Sequence, residues 1–186
     1  MGRHGRGRGR CGLSADPAIV IRRAQAQDAE LLAALAERTF KDAFGAANRP
    51  EDLALHLRTH YTPERMRAEL ADPGGVTLFA LVDEHPAGYA QLAGHAPPIP
   101  LGLGGLMLHR FYLEQAWIGR GIAGPLMTAV VEEARKRAAR YLWLTVWQEN
   151  PRAVAFYRKC GFVEAGTTTF TVGTDPQVDW VMTCLL

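Results

Sequence analysis

The chain has 186 residues, 48% of them apolar, with 21 basic against 19 acidic side chains and a formal net charge of +2. That is enough chain for one domain with a genuine core, and no apolar run approaches the roughly 18 residues that a membrane-spanning helix needs. Three cysteines, Cys11, Cys160 and Cys184, lack CxxC or other metal spacing, which argues against a disulfide framework or a zinc site and for a reducing, cytoplasmic location.

The first 17 residues, MGRHGRGRGRCGLSADP, carry four arginines but no apolar stretch behind them, so they do not read as a secretory signal. Their Gly/Arg composition predicts a solvated, disordered tail outside the fold. Without them the chain holds 17 basic against 18 acidic residues. A broad positive surface for nucleic acid is therefore not expected, and residues 18 to 186 read as a single domain.

Within that domain AIVIRR (18–23) predicts a short β-branched strand, and Asp28 stands where an N-cap belongs before the 3.6-period run AELLAALAERTFKDAF. Two shorter helices follow, one opened by Pro50 and one by Thr62-Pro63-Glu64, each with proline in its first turn. VTLFALVD and AGYAQLAG predict a hairpin turning at Glu84, His85 and Pro86. After the irregular HAPPIPLGLGG comes the strand GLMLHRFYL. Regular alternation there puts Leu106, Leu108, Arg110 and Tyr112 on one face and Met107, His109, Phe111 and Leu113 on the other.

A glycine-rich turn, WIGRGIAG, then opens a long helix to about Arg140. Glycine costs a helix about 1 kcal/mol relative to alanine, so three of them call for a reason. With Gly119, Gly121 and Gly124 the unpaired N–H groups of a helix start converge where a phosphate would sit. Close packing of helix on sheet is the alternative reason. YLWLTVW predicts a central strand buried on both faces, and Asn150 caps a helix, NPRAVAFYRKCG, that ends at Gly161. FVEAGTTTFTVG and VDWVMTCLL close the fold as paired strands.

Two signatures in this order and separation resemble the GCN5-related N-acetyltransferase (GNAT) superfamily. One is R/Q-x-x-G-x-G/A, aligned with Ile118, Gly119, Arg120, Gly121, Ile122 and Ala123; the other is N-x-x-A-x-x-F-Y-x-x-x-G-F, matched by Asn150, Ala153, Phe156, Tyr157, Gly161 and Phe162. The resemblance implies a mixed α/β fold: a mostly antiparallel sheet of about seven strands, flanked by helices and splayed between the fourth and fifth strands. It implies acetyl-CoA as co-substrate, with the amides from Gly119 to Gly124 on its pyrophosphate and the edge of Phe111, Tyr112 and Leu113 against its pantetheine. Ile118 stands where Arg or Gln is usual, which removes a side-chain hydrogen bond and leaves a phosphate site made of backbone.

The same resemblance assigns Tyr157 as the acid that protonates the departing thiolate, a role suited to a phenol that keeps its proton at neutral pH. Asn150 either contacts the pantetheine or only caps its helix. Some relatives place a Glu where Met107 stands here, and methionine takes no proton. His109, with an ordinary imidazole pKa near 6.5, is then the candidate base, and Arg110 an ion-pair or packing residue. His56 and His60 read as a solvated helix face rather than half a metal site, and Cys160 as packing.

Residues 38–70 and the ending that contains Val146, Trp147, Asn150, Phe170, Gly173, Asp179 and Met182 are similar to PaiA-type spermidine/spermine N-acetyltransferases. This implies a small primary amine as acceptor, a polyamine among the candidates. Of the carboxylates on the helices before the hairpin, Glu37, Asp42, Glu51, Asp52, Glu64 and Glu69, some could attract it, while most would simply solvate helix faces. A protein N-terminus, an amino acid and an aminosugar stay open as acceptors, as does a coenzyme-binding module without turnover. A homodimer is left open as well.

Overall fold

A computed structural model describes residues 18–172 and 174–186; the predicted Gly/Arg tail lies outside the described residues. Strand β1 (Ile19–Arg23) leads through a 3-10 turn (Ala26–Asp28) into α1 (Ala29–Phe44), α2 (Pro50–His60) and α3 (Pro63–Ala71). Then come β2 (Val76–Val82), β3 (His85–Ala93) and β4 (Gly105–Leu113), followed by α4 (Ala123–Lys136), β5 (Tyr141–Trp147), α5 (Pro151–Lys159), β6 (Val163–Val172) and β7 (Asp175–Leu185). All seven strands join one sheet in the order β1-β2-β3-β4-β5-β7-β6. Every neighbouring pair is antiparallel except β4 and β5. No described helix is long and apolar enough to cross a membrane.

Local chemistry sets most of the boundaries. Proline occupies the first turn of α2, α3 and α5, where its missing N–H costs nothing. Thr62 accepts from the Arg65 amide and Asn150 from the Ala153 amide, at 3.2 and 3.1 Å, which satisfies one orphan donor at each helix start. Asp28 does not cap α1 as predicted. Its carboxylate is taken by Arg22, at 2.7 and 2.9 Å, and by the Gln25 amide, because the 3-10 turn ahead of the helix draws it backwards. The β2–β3 hairpin turns on Asp83 and Glu84, not at His85 and Pro86. Both turn residues have left-handed φ, +48° and +67°, as a two-residue turn matching the sheet's twist requires.

Helices cover both faces of the sheet. On one, Leu126, Val130 and Ile122 of α4 and its approach pack on Leu142, Leu144 and Met182. On the other, Leu32, Leu35 and Phe40 of α1 pack on Phe79 and Tyr89. Each such fully buried side chain contributes roughly 1.5–3 kcal/mol. Asp52 ties α2 to the far end of the sheet, accepting hydrogen bonds from the Thr174 amide (2.8 Å) and hydroxyl (2.9 Å).

Strand β4 departs from the regular alternation of its sequence. Gln91 pairs with Arg110 and Leu92 with Leu108, so His109 has no partner on β3 and forms a bulge. One extra residue reverses the phase of everything after it. Leu106, Leu108, Phe111 and Leu113 therefore share the face under α4, while Arg110 and Tyr112 turn toward α1–α3. The face assignment made from simple alternation is corrected accordingly. On its other side β4 pairs with β5 at only three positions, Gly105–Tyr141, Leu106–Leu142 and Met107–Trp143; beyond them the two strands separate.

Candidate active site

The separation of β4 from β5 opens a cleft of about 1140 Å³. Its one end is the glycine turn. Gly119 and Gly121 both have φ of +80°, a conformation costly to residues with a Cβ. A Cβ at either position, or at Gly124, would meet no atom within 4 Å. Close helix-to-sheet packing is therefore not why these residues are glycine. The left-handed backbone requires the first two, and the surface they leave is open. Among the described residues the amides of Gly119, Gly121, Ile122, Ala123 and Gly124 have no protein acceptor. A bare cluster of donors at the positive end of α4 fits a diphosphate.

Ile118, Gly119, Gly121, Ala123 and Gly124 line the cleft, and so do Phe111, Tyr112 and Leu113 on the unpaired edge of β4. Two predicted coenzyme contacts do not line it. The Ile122 side chain is 1% exposed and belongs to the core, leaving only its amide, and Arg120 lies over the Trp117 ring.

Opposite β4, α5 presents Asn150, Phe156 and Tyr157 to the same cleft. The Asn150 carboxamide is engaged in its cap. Tyr157 is 9% exposed and sits among Phe111, Phe156 and Phe162. Burial, with Cys160 beside it, pushes its phenol well above the ordinary value. The hydroxyl keeps its proton at every working pH, as a proton donor must.

The far half of the cleft is walled by side chains from distant segments. His109 lies there, edge-on to His95 with ring centroids 5.0 Å apart. Burial, reinforced by the Arg110 charge, pushes it down to about 3. The ordinary imidazole pKa expected of it is thus not what the fold provides: the ring is neutral and weakly basic. Arg110 is 6% exposed and donates to Gln91 and Glu69. Burial works to raise the Glu69 carboxyl, and Arg110 and Gln91 overcome it, holding the group below its ordinary value.

His56 is not on a solvated face, as its helix pattern suggested. It is buried, stacked between Phe40 and His60 at centroid distances of 4.6 and 4.3 Å, and burial pushes it down to about 4. Among the described residues no group of His, Cys, Asp and Glu is arranged to hold a metal ion. Of the six helix carboxylates that could attract a cationic acceptor, only Asp42 lines the cleft. Asp52 and Glu69 are consumed by Arg49, Thr174 and Arg110.

Sequence reading took Trp147, Phe170 and Asp179 only as marks of a subfamily and missed that they line the cleft, as Trp143 and His56 do. The signal for Asp179 was present in the strand VDWVMTCLL, where a lone acid interrupts an apolar run, but its neighbours Thr168 and Trp147 lie on other strands, 11 and 32 residues away.

Two comparisons point to one family, and a third finds the same fold. Residues 31–162 match the family model described as acetyltransferase (GNAT) family. An uncharacterised N-acetyltransferase of Lactobacillus delbrueckii subsp. lactis is 33% identical over 150 residues, 80% of this chain and 87% of that one. One from Mycobacterium tuberculosis is 36% identical over 156 residues, 83% and 96% of the two chains. Among solved structures, the PaiA N-acetyltransferase of Thermoplasma acidophilum in complex with coenzyme A superposes with a TM-score of 0.75 at 22% identity, covering 91% of this chain and 99% of that one. A GCN5-related N-acetyltransferase of Rhodopseudomonas palustris gives 0.71 at 21% identity, with coverage of 92% and 97%.

Proposed function

Because the chain belongs to the acetyltransferase (GNAT) family and is an acetyl-CoA-dependent N-acetyltransferase, we propose that its cleft acetylates a small primary amine, with Tyr157 as the acid. The co-substrate supplies an activated thioester carbonyl; this chain's residues bind, orient and move protons around it. The amides of Gly119, Gly121, Ile122, Ala123 and Gly124 hold the diphosphate, and the free edge of Phe111, Tyr112 and Leu113 offers main-chain groups to the pantetheine. Ile118 adds apolar contact where a side-chain donor is usual, so the phosphate site rests on backbone. Tyr157 gives its proton to the sulfur as the thiol leaves. His109, held neutral, accepts a hydrogen bond from the amine or from a water beside it.

The observation that carries this reading is the placement of a buried phenol that keeps its proton in one cleft with a bare amide cluster. A polyamine, implied by the resemblance to PaiA-type enzymes, is one acceptor to test. Asp42 at the rim favours it, whereas the internal pairing of Asp52 and Glu69 speaks for an acceptor of lower charge. The free thiols of Cys160 and Cys184 suit a reducing cytoplasm.

The test is thiol release from acetyl-CoA against a panel of amines. Tyr157→Phe should lower kcat by about 100-fold or more while coenzyme A still raises the melting temperature. Unchanged turnover in Tyr157→Phe would remove the phenol from the reaction.

A further inference from the structure

The floor of the cleft holds one carboxylate that no described cation neutralises. Asp179 is 6% exposed and takes part in none of the ion pairs among the described residues. In the sheet it stands opposite Trp147 of β5 and Thr168 of β6, and all three line the cleft. A buried carboxylate without a cationic partner is unfavourable, and an apolar residue of similar size would serve the sheet better. Structural need does not explain it.

Its surroundings describe what would. Burial pushes the group up to about 6, the Thr145 hydroxyl offsetting part of that, and no charged side chain acts on it. It is ionised at neutral pH yet more basic than an ordinary carboxylate. The neutral His109 is a far weaker proton acceptor, and Asp42 stands exposed at the rim. Beside Asp179 stand Trp147, its partner on β5, and Phe170, two residues beyond its partner Thr168 on β6, with His56 edge-on to Phe170; Trp143 lines the same cleft further along β5. The Trp143 indole N–H is buried without a partner. One carboxylate flanked by aromatic faces recognises a single ammonium on a flat or apolar body, through an ion pair and cation–π contact.

Building on the amine-acetylating reading of this same cleft, we propose that Asp179 binds the ammonium of the acceptor and takes its proton, and that the acceptor is a monoamine with a flat or apolar body. The ammonium gives one proton to Asp179. The freed lone pair forms the C–N bond to the thioester carbonyl carbon, the C–S bond breaks, and its electron pair leaves on sulfur, which takes the Tyr157 proton. The second proton of the nitrogen returns to the phenol through water, and Asp179 releases its own to solvent.

The test compares wild type with Asp179→Asn, using phenethylamine and spermidine as acceptors and isothermal titration of phenethylamine into the coenzyme A complex. We expect phenethylamine to be preferred at least tenfold in kcat/KM. Asp179→Asn should lower that kcat/KM about 100-fold or more and weaken phenethylamine binding, yet keep coenzyme A affinity and melt at a higher temperature at pH 7.5. Turnover within twofold of wild type, or a lowered melting temperature, would overturn the role of Asp179, the second by showing the carboxylate to be structural. A preference for spermidine would overturn the monoamine class. A wild-type protein that binds phenethylamine, and loses that binding in Asp179→Asn, but acetylates no amine would defeat the acetylation reading while retaining the ammonium site.

Discussion

The two halves of the cleft are built from different materials. The coenzyme half is backbone: left-handed glycines, a helix start and an unpaired strand edge within about a dozen residues of chain. The acceptor half is side chains drawn from α1, α2, β4, β5, β6 and β7. Backbone recognition demands only that side chains be small or absent, so one short stretch can specify it and many acceptor chemistries can share it. Side-chain recognition depends on which residues the fold assembles, and it can be rewritten without touching the coenzyme.

The largest expected effect falls where the two halves join. Arg110→Ala removes the buried partner of the half-buried Glu69 carboxylate and should destabilise the fold by about 1–3 kcal/mol, read as a fall in denaturation midpoint; a loss below about 0.5 kcal/mol would show Glu69 relaxing into solvent instead. Gly121→Val tests the backbone half. Left-handed strain of about 1–2 kcal/mol should raise the KM for acetyl-CoA about tenfold or more and leave the amine KM alone, and a shift in both would break the division.

Phe170→Ala tests the other half in reverse. It should raise the amine KM several-fold with the acetyl-CoA KM unchanged, as steady-state kinetics with each substrate varied would show. Asp179 adds a signature in stability against pH. Its folded value lies near 6, above the ordinary 3.8, so its contribution is present at low pH and lost as pH rises through that window. Wild type should lose stability between about pH 4 and 6 relative to Asp179→Asn in parallel thermal melts. The smallest effect is expected for His109→Gln. A ring held neutral throughout does not titrate in the working range, so the pH-rate profile should keep its shape, and a new acidic limb would restore the imidazole as a base.

How much of this was legible in the sequence follows the same division. Strand order, helix starts and the glycine turn came from local rules, because proline, capping residues and left-handed glycines act within a few positions of themselves. The face assignment of β4 failed past His109, since a bulge is decided by the partner strand and leaves no mark on alternation. His56 looked solvated because helical periodicity cannot see that Phe40 and Phe170 close over it. The acidic wall failed for a related reason: Asp52 and Glu69 look free on a helical wheel and are claimed by residues 122 and 41 positions away.

The unpaired residue at His109 carries a genetic consequence. Deletion of that single codon would let Arg110 follow Leu108 directly, opposite Gln91 as before, so that Arg110 would still face α1–α3 and Phe111 and Leu113 would still lie under α4; a second residue inserted there is what would invert the half-strand beyond it. Losing one residue at this point should therefore cost the cleft an imidazole and the strand its kink, while gaining one should do more harm than either, because only an added residue turns the buried side chains out of the core.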